Sequence, residues 1–149
     1  MRITTKGRYA LSAIAALALN SIDDDPVSIR SLAESEGISA DFLEQIFFKL
    51  RRSGIVNSVR GPGGGFRLAR PSREISLHEI LSAVGERIAI SPPTLSLDGK
   101  RGLASKPAAP NGRGGRKAGA ALRELEEEVK RFASEKSLAD IVGTGRRRQ

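Results

Sequence analysis

The run Gly61-Pro-Gly-Gly-Gly65 constrains the fold more than any other part of this 149-residue chain. Such a run is either the tip of a hairpin or a loop that cradles phosphate. It lacks the Gly-Lys-Ser/Thr ending of a nucleotide-binding loop, no helix follows it directly, and its spacing is not that of a dinucleotide fingerprint. A hairpin tip fits better. Ile55–Arg60 and Phe66–Ala69 on either side have strand character, and Ser39 to Gly54 reads as a helix with a clear start and stop. From Gln45 to Arg73 there are seven basic residues (Lys49, Arg51, Arg52, Arg60, Arg67, Arg70, Arg73) and no acidic one. A helix followed by a basic β-ribbon is the shape of a winged helix-turn-helix, and its charge suits a phosphate backbone.

The net charge of +8 points to an anionic partner, nucleic acid before membrane surface. Residues 1–88 carry twelve basic and ten acidic groups, so their positive charge is concentrated in the 45–73 stretch. The apolar fraction, 39%, allows a modest core helped by dimerisation. Cysteine is absent, which removes disulfides, thiolate zinc sites and all-cysteine iron–sulfur sites. No apolar stretch is long enough to span a membrane. The start, MRITTKGR followed by YALSAIAALAL, has the look of a signal peptide. It also reads as an amphipathic first helix, with Leu11, Ile14, Ala15 and Ala18 at i, i+3, i+4, i+7. The helix reading is adopted, because a helix-turn-helix needs that support, and the protein is expected in the cytoplasm.

Thr4 or Thr5 caps this first helix, which runs to about Asn20. Lys6, Arg8 and Tyr9 lie in its first turns, where the helix dipole favours acids. They are either phosphate contacts or solvated surface. Asp23, Asp24 and Asp25 form an acidic turn with no calcium-loop pattern. Ser28 caps a short helix in which Ile29, Leu32 and Ala33 share an apolar face, and Gly37 sits at its C-terminal turn. The next helix starts at Ser39, giving a helix-turn-helix. Leu43, Ile46, Phe47 and Leu50 face inward. Ser39, Asp41 and Glu44 are candidates to meet base edges, with Lys49 and Arg52 on the flank toward phosphate. Equally, Ser39 can be only a cap, and Asp41 and Glu44 only partners of the helix dipole. Arg60, just before the glycine run, is placed to enter a minor groove.

Ser76-Leu-His-Glu79 is a capping box opening a further helix with Ile80, Leu81 and Val84 inward. His78, the single histidine, is read as an exposed helix residue with no metal or catalytic role. Residues 89–117 read as a flexible basic loop rich in Pro and Gly. From Ala118 to about Ser134 a helix carries the narrow seam Leu122, Leu125, Val129, Phe132, suited to packing on a partner chain. Ser137 onward adds a short closing helix or strand, and residues 143–149 form a disordered basic tail. The expected architecture is mainly α with a small β-wing. It comprises a winged helix-turn-helix over 1–88, the loop over 89–117, and a long dimerisation helix with its closing element over 118–142.

MRITTKGRYAL at the start, GISADFLEQIFFKLRRSGIVNSVRGPGGGFRLAR in the middle and ISLHEILSAV after it resemble the Rrf-type family of bacterial winged helix-turn-helix transcriptional regulators, the IscR, NsrR and CymR kind. The resemblance covers about residues 1–86 and is weaker over 117–142. It implies a homodimer on a pseudo-palindromic operator, with recognition helices in major grooves and wings in adjoining minor grooves. Carried over, Ser39, Asp41 and Glu44 match base-reading positions, Arg60 and Gly61 the minor-groove wing, and Lys6 and Tyr9 backbone contacts. Asp41 departs from the smaller serine of the iron–sulfur regulators. Their three cysteines fall at about Ala104, Pro110 and Arg116, and Gly119 replaces a histidine, so no cysteine-ligated cluster and no other cofactor is expected. Lys100, Arg101, Lys106, Arg113, Arg116 and Lys117 either add nonspecific DNA affinity or form a solvated linker.

The expected function is a cluster-free, homodimeric regulator of double-stranded DNA, acting as a repressor. The alternative is a regulatory interaction module whose C-terminal region docks a metabolic enzyme or other protein that controls DNA binding; a small-molecule effector is a further expected partner. One histidine, no cysteine and no paired acids leave little from which to build an enzyme.

Overall fold

The computed structural model describes residues 2–21, 23–88 and 112–143. In chain order the elements are α1 (Thr5–Asn20), α2 (Ile29–Glu36), α3 (Ala40–Arg52), β1 (Val56–Val59), β2 (Gly65–Leu68), a 3₁₀ turn (Ser72–Glu74), α4 (Leu77–Ala83), α5 (Arg113–Glu135) and α6 (Leu138–Val142). Among the described residues two compact units form. One holds residues 2–87 and 132–143, the other residues 88 and 112–131.

The core of the larger unit is built around α1 and α3. Thr4 caps α1, its hydroxyl accepting the Gly7 N–H at 3.3 Å. The stripe that α1 buries completely is Ala10, Ala13, Ile14 and Leu17. The expected stripe of Leu11, Ile14, Ala15 and Ala18 is therefore displaced by one residue, about 100° around the helix. The reason is that α1 packs against α2, α3, α4 and α6 together. With neighbours on several sides, Leu11, Ala15 and Ala18 are half-buried as well, and the apolar period marks no single face.

Ser28 caps α2, accepting the Ser31 N–H at 3.1 Å. Gly37 ends the helix with φ +66°, a left-handed value that suits glycine. Two residues later Ser39 caps α3. Leu43, Ile46, Phe47 and Leu50 are all buried, as the i, i+3, i+4, i+7 spacing predicts, and Leu32 and Ile38 join them in the core. Burying each such side chain stabilises the fold by about 1.5–3 kcal/mol.

The two strands form an antiparallel pair with Val56 opposite Leu68 and Val59 opposite Gly65. At the tip the Gly64 N–H donates to the Gly61 carbonyl at 2.9 Å, with Pro62 and Gly63 between them. Gly63 has φ +70°, the value the third residue of a type II turn requires. The wing is tied down through its second strand, close to the turn. Val27 and Phe66 exchange both main-chain hydrogen bonds at 2.8 Å, and the Phe66 ring packs on Phe47 with centroids 4.9 Å apart.

Ser76 and Glu79 form the expected capping box on α4. The Ser76 N–H, donating to the Glu79 carboxylate, is the main cause that holds this carboxyl below its ordinary value; Arg70, 3.0 Å away, adds to it. His78 is half-buried rather than exposed. The chain returns to this unit at its far end. The Leu77 N–H donates to the Lys136 carbonyl at 2.8 Å, and the Leu138 N–H to the Ile75 carbonyl at 2.7 Å. The closing element is a helix, α6, capped by Ser137, and Leu138 is completely buried.

Helix α5 begins at Arg113, five residues before the composition places a helix start. Gly114, Gly115 and Gly119 lie within it, although glycine is a poor helix former. Along it Lys130 meets Glu126 at 2.8 Å, which raises the lysine's pKa, and Arg131 pairs with Glu128. Arg116 and Gly119 thus lie in a helix, while Lys100, Arg101, Ala104, Lys106, Pro110 and the tail from residue 144 fall outside the described residues. Among the described residues no helix is long and apolar enough to cross a membrane.

A Cβ at Gly65 would run into the carbonyl oxygen and main chain of Val27, which side-chain movement cannot relieve. Gly65→Ala is expected to cost about 1–3 kcal/mol, as overpacking does. Chemical denaturation should show it, with Gly112→Ala, which meets nothing within 4 Å, as the control.

Candidate nucleic-acid interface

The exposed side of α3 is the centre of the site. Ser39 caps the helix, its hydroxyl accepting the Phe42 N–H at 3.1 Å. The hydroxyl hydrogen is left over as a donor. Asp41 sits in the first turn and Glu44 one turn on, both exposed. Asp41, in the first turn, suits the positive end of the helix dipole. Gln45, Phe48, Lys49, Arg51 and Arg52 continue the same exposed side, and the Arg52 guanidinium lies 5.8 Å from the centre of the Phe48 ring. The three cations in the last turn suit the negative end of the dipole. Helix α3 is thus acidic at its start, basic at its end and apolar behind.

The wing continues the basic surface. Arg60 and Gly61 stand exposed at its tip, and Arg67 is exposed on β2. Of the seven cations from Gln45 to Arg73, only Arg70 is half-buried, and it is the one held by Glu79 and by the Glu74 carbonyl at 2.9 Å.

The start of α1 lies beside α3. The Tyr9 ring packs edge-on against Phe42, with centroids 5.6 Å apart, and Tyr9 remains 38% exposed. Lys6 is half-buried with its ammonium near Gly85, while Arg8 is exposed. Two bases in the first turns oppose the helix dipole, and the compensating acid comes from far along the chain. Glu86 is buried, and its carboxylate accepts from the Thr4 N–H at 3.3 Å and from the Thr4 hydroxyl. It presses so close to Gly7 that a Cβ there would lie 2.6 Å from Oε1. Sequence reasoning missed Glu86, because no local pattern marks a cap supplied 82 positions away. It also passed over Phe48, whose signal is a second phenylalanine next to the buried Phe47 and outside the apolar stripe.

The structure therefore brings Ser39, Asp41, Glu44, Lys49 and Arg52 together on α3 and sets Tyr9 beside it, while the Lys6 ammonium lies near Gly85. Arg60 and Gly61 lie apart, at the wing tip. Leu122, Leu125, Val129 and Phe132 are on α5. Leu122, Leu125 and Phe132 are 49–61% exposed in the single chain, and Val129 is half-buried.

The residues present do not fit a thiolate-bound metal group. The chain has no cysteine, and among the described residues no three His, Asp or Glu side chains gather to hold a metal ion.

A family model described as Rrf2, iron-dependent transcriptional regulator, matches residues 3–144. The transcriptional regulator IscR of Klebsiella pneumoniae is 48% identical over 88 residues, which is 59% of this chain and 53% of that protein. IscR of Escherichia coli matches with the same identity and 54% of its length. Among solved structures, CymR, the global cysteine regulator of B. subtilis, superposes with a TM-score of 0.72 at 26% identity, covering 97% of this chain and 98% of that one. IscR of T. potens gives 0.68 at 28% identity, covering 95% and 86%. The chain spans little more than half the length of the curated relatives it matches.

The cap on α3 gives a prediction separate from any ligand. Ser39→Ala should lower stability by about 1 kcal/mol and Ser39→Asp should restore most of it, read as thermal midpoints of the protein alone.

Proposed function

The chain belongs to the Rrf2 family of transcriptional regulators, and from that membership we propose that it is a sequence-specific regulator that binds double-stranded DNA as a homodimer in the cytoplasm. The observation that carries the reading is the exposed basic surface that runs from the end of α3 onto the wing, uninterrupted by any acid from Gln45 to Arg73. An acid-free run of exposed cations gains affinity for phosphate by releasing counterions. In this reading α3 enters the major groove with Ser39, Asp41 and Glu44 toward base edges and Lys49 and Arg52 toward the backbone. The wing tip, Arg60 with Gly61, takes the minor groove. Tyr9, beside α3, and Lys6 hold the backbone. Glu44 acts by selectivity, since an acid in the groove costs affinity and accepts from a cytosine amino group.

The exposed leucines of α5 support a homodimer that covers Leu122, Leu125, Val129 and Phe132 with a second copy. Two copies related by a two-fold axis would read two half-sites about 34–36 Å apart, hence a pseudo-palindromic operator. The regulator is proposed to act as a repressor, its operator overlapping the promoter it controls. Because the chain offers no thiolate, its DNA binding is proposed to need no iron–sulfur cluster.

Selection from random duplexes with the chelator-treated protein should enrich a palindrome. Arg60→Ala should weaken binding to it by about 1–3 kcal/mol, and Glu44→Ala should relax the choice of sequence more than it lowers affinity. An absence of enrichment, with weak salt-sensitive binding alone, would overturn the proposal. In sedimentation equilibrium the protein should have twice its chain mass of 15.9 kDa. Leu125→Glu should shift it to the single-chain mass and lower operator affinity at least about tenfold, the factor for 1.4 kcal/mol. A wild-type monomer at operator-binding concentrations would sink the homodimer.

A further inference from the structure

The exposed face of α3 holds one residue that neither phosphate contact nor capping explains. Phe48 is 58% exposed, although Phe47 beside it is completely buried. Single apolar side chains on a surface are ordinary. What distinguishes this one is its position. Asp41, Glu44, Gln45 and Phe48 stand at i, i+3, i+4 and i+7 along α3, and all four are exposed. This is the spacing with which a homeodomain helix presents its base-reading side chains to the major groove. Phe48 thus continues the line begun by Asp41 and Glu44 into the next turn. Cations flank it at Lys49, Arg51 and Arg52, and the Arg52 guanidinium lies over its ring. A stretch without an acid complements a polyanion, so the phenyl ring would be carried against DNA by its own neighbours.

An apolar ring in a major groove has one chemical partner among the base edges. Thymine alone presents a methyl group there; the other bases present donors and acceptors that a phenyl ring cannot satisfy. We propose that Phe48 reads a thymine in each half-site by packing its ring on the 5-methyl group. Phe48 then supplies selectivity for A·T at one position, where Glu44 supplies it for a cytosine. This rests on the DNA-binding reading of α3, and the experiment separates the two.

The full-length protein is first used to select its operator. In one half-site of that operator each thymine is then replaced singly by deoxyuridine, which removes only the methyl group, and dissociation constants are measured at fixed salt. One position is expected at which the wild type weakens about fourfold, the factor for one buried methyl. The Phe48→Ala protein should bind the thymine operator more weakly than the wild type, keep its thermal midpoint, and show no thymine–uracil difference at that one position. Placing 5-methylcytosine at the same position in a G·C variant should recover affinity for the wild type and not for Phe48→Ala. If the wild type shows no methyl-sensitive position, or if the sensitivity persists in Phe48→Ala, this inference falls while the DNA-binding reading stands. If Phe48→Ala binds every duplex like the wild type, it also falls. If the wild type selects no operator, the underlying reading fails and takes this one with it.

Discussion

The pair of main-chain hydrogen bonds between Val27 and Phe66 is the constraint on which the exposed surface depends. A two-stranded hairpin is marginal in water by itself. Here its second strand is pinned to the segment that leads into α2, and the same Phe66 sends its ring onto Phe47 behind α3. One residue therefore joins the wing to both helices of the helix-turn-helix. The close approach needs Gly65, because any side chain there would meet the Val27 main chain. The distance from the exposed side of α3 to the wing is set by packing inside the protein before any ligand arrives, which lowers the ordering cost of binding.

The electrostatics of the unit follow a division of labour. Cations stand outward along α3 and the wing, where solvent and phosphate both suit them. The buried acid, Glu86, is turned inward to satisfy the start of α1. Without it, that helix would present Lys6 and Arg8 at the end of its dipole that repels them. A carboxylate supplied by the end of the α4 region allows α1 to keep bases in its first turns.

Much of this architecture was legible from the residues. Caps at Thr4 or Thr5, Ser28, Ser39 and Ser76, the left-handed Gly37 and the glycine run are local chemistry, and the structure has them as caps, a stop and a turn, with Thr4 the residue that caps α1. The inward face of α3 was legible because only one side of that helix is buried. The face of α1 was displaced by one residue because an alanine-rich helix with neighbours on several sides has no single apolar period. The start of α5 was hidden by its glycines, which are poor helix formers and read as loop residues. Within the candidate site, exposed polar residues of α3 could be placed by periodicity. Glu86 could not, since its partner is distant in sequence, and Phe48 was masked by a neighbour of the same type that belongs to the core.

The return of the chain to the larger unit changes how its middle should be viewed. Glu86 is fastened to Thr4 at one end, and Lys136 and Leu138 are fastened to Leu77 and Ile75 at the other. Everything between leaves from one fixed point and comes back to another, so in topology it is an insertion into a domain and not an appendix to one. The closing entropy of such an excursion grows only with the logarithm of its length, about 0.6 kcal/mol for each doubling. Its length is thus only weakly coupled to the closing cost of the unit that carries the basic surface. A unit closed this way can carry excursions of differing length at nearly the same closing cost.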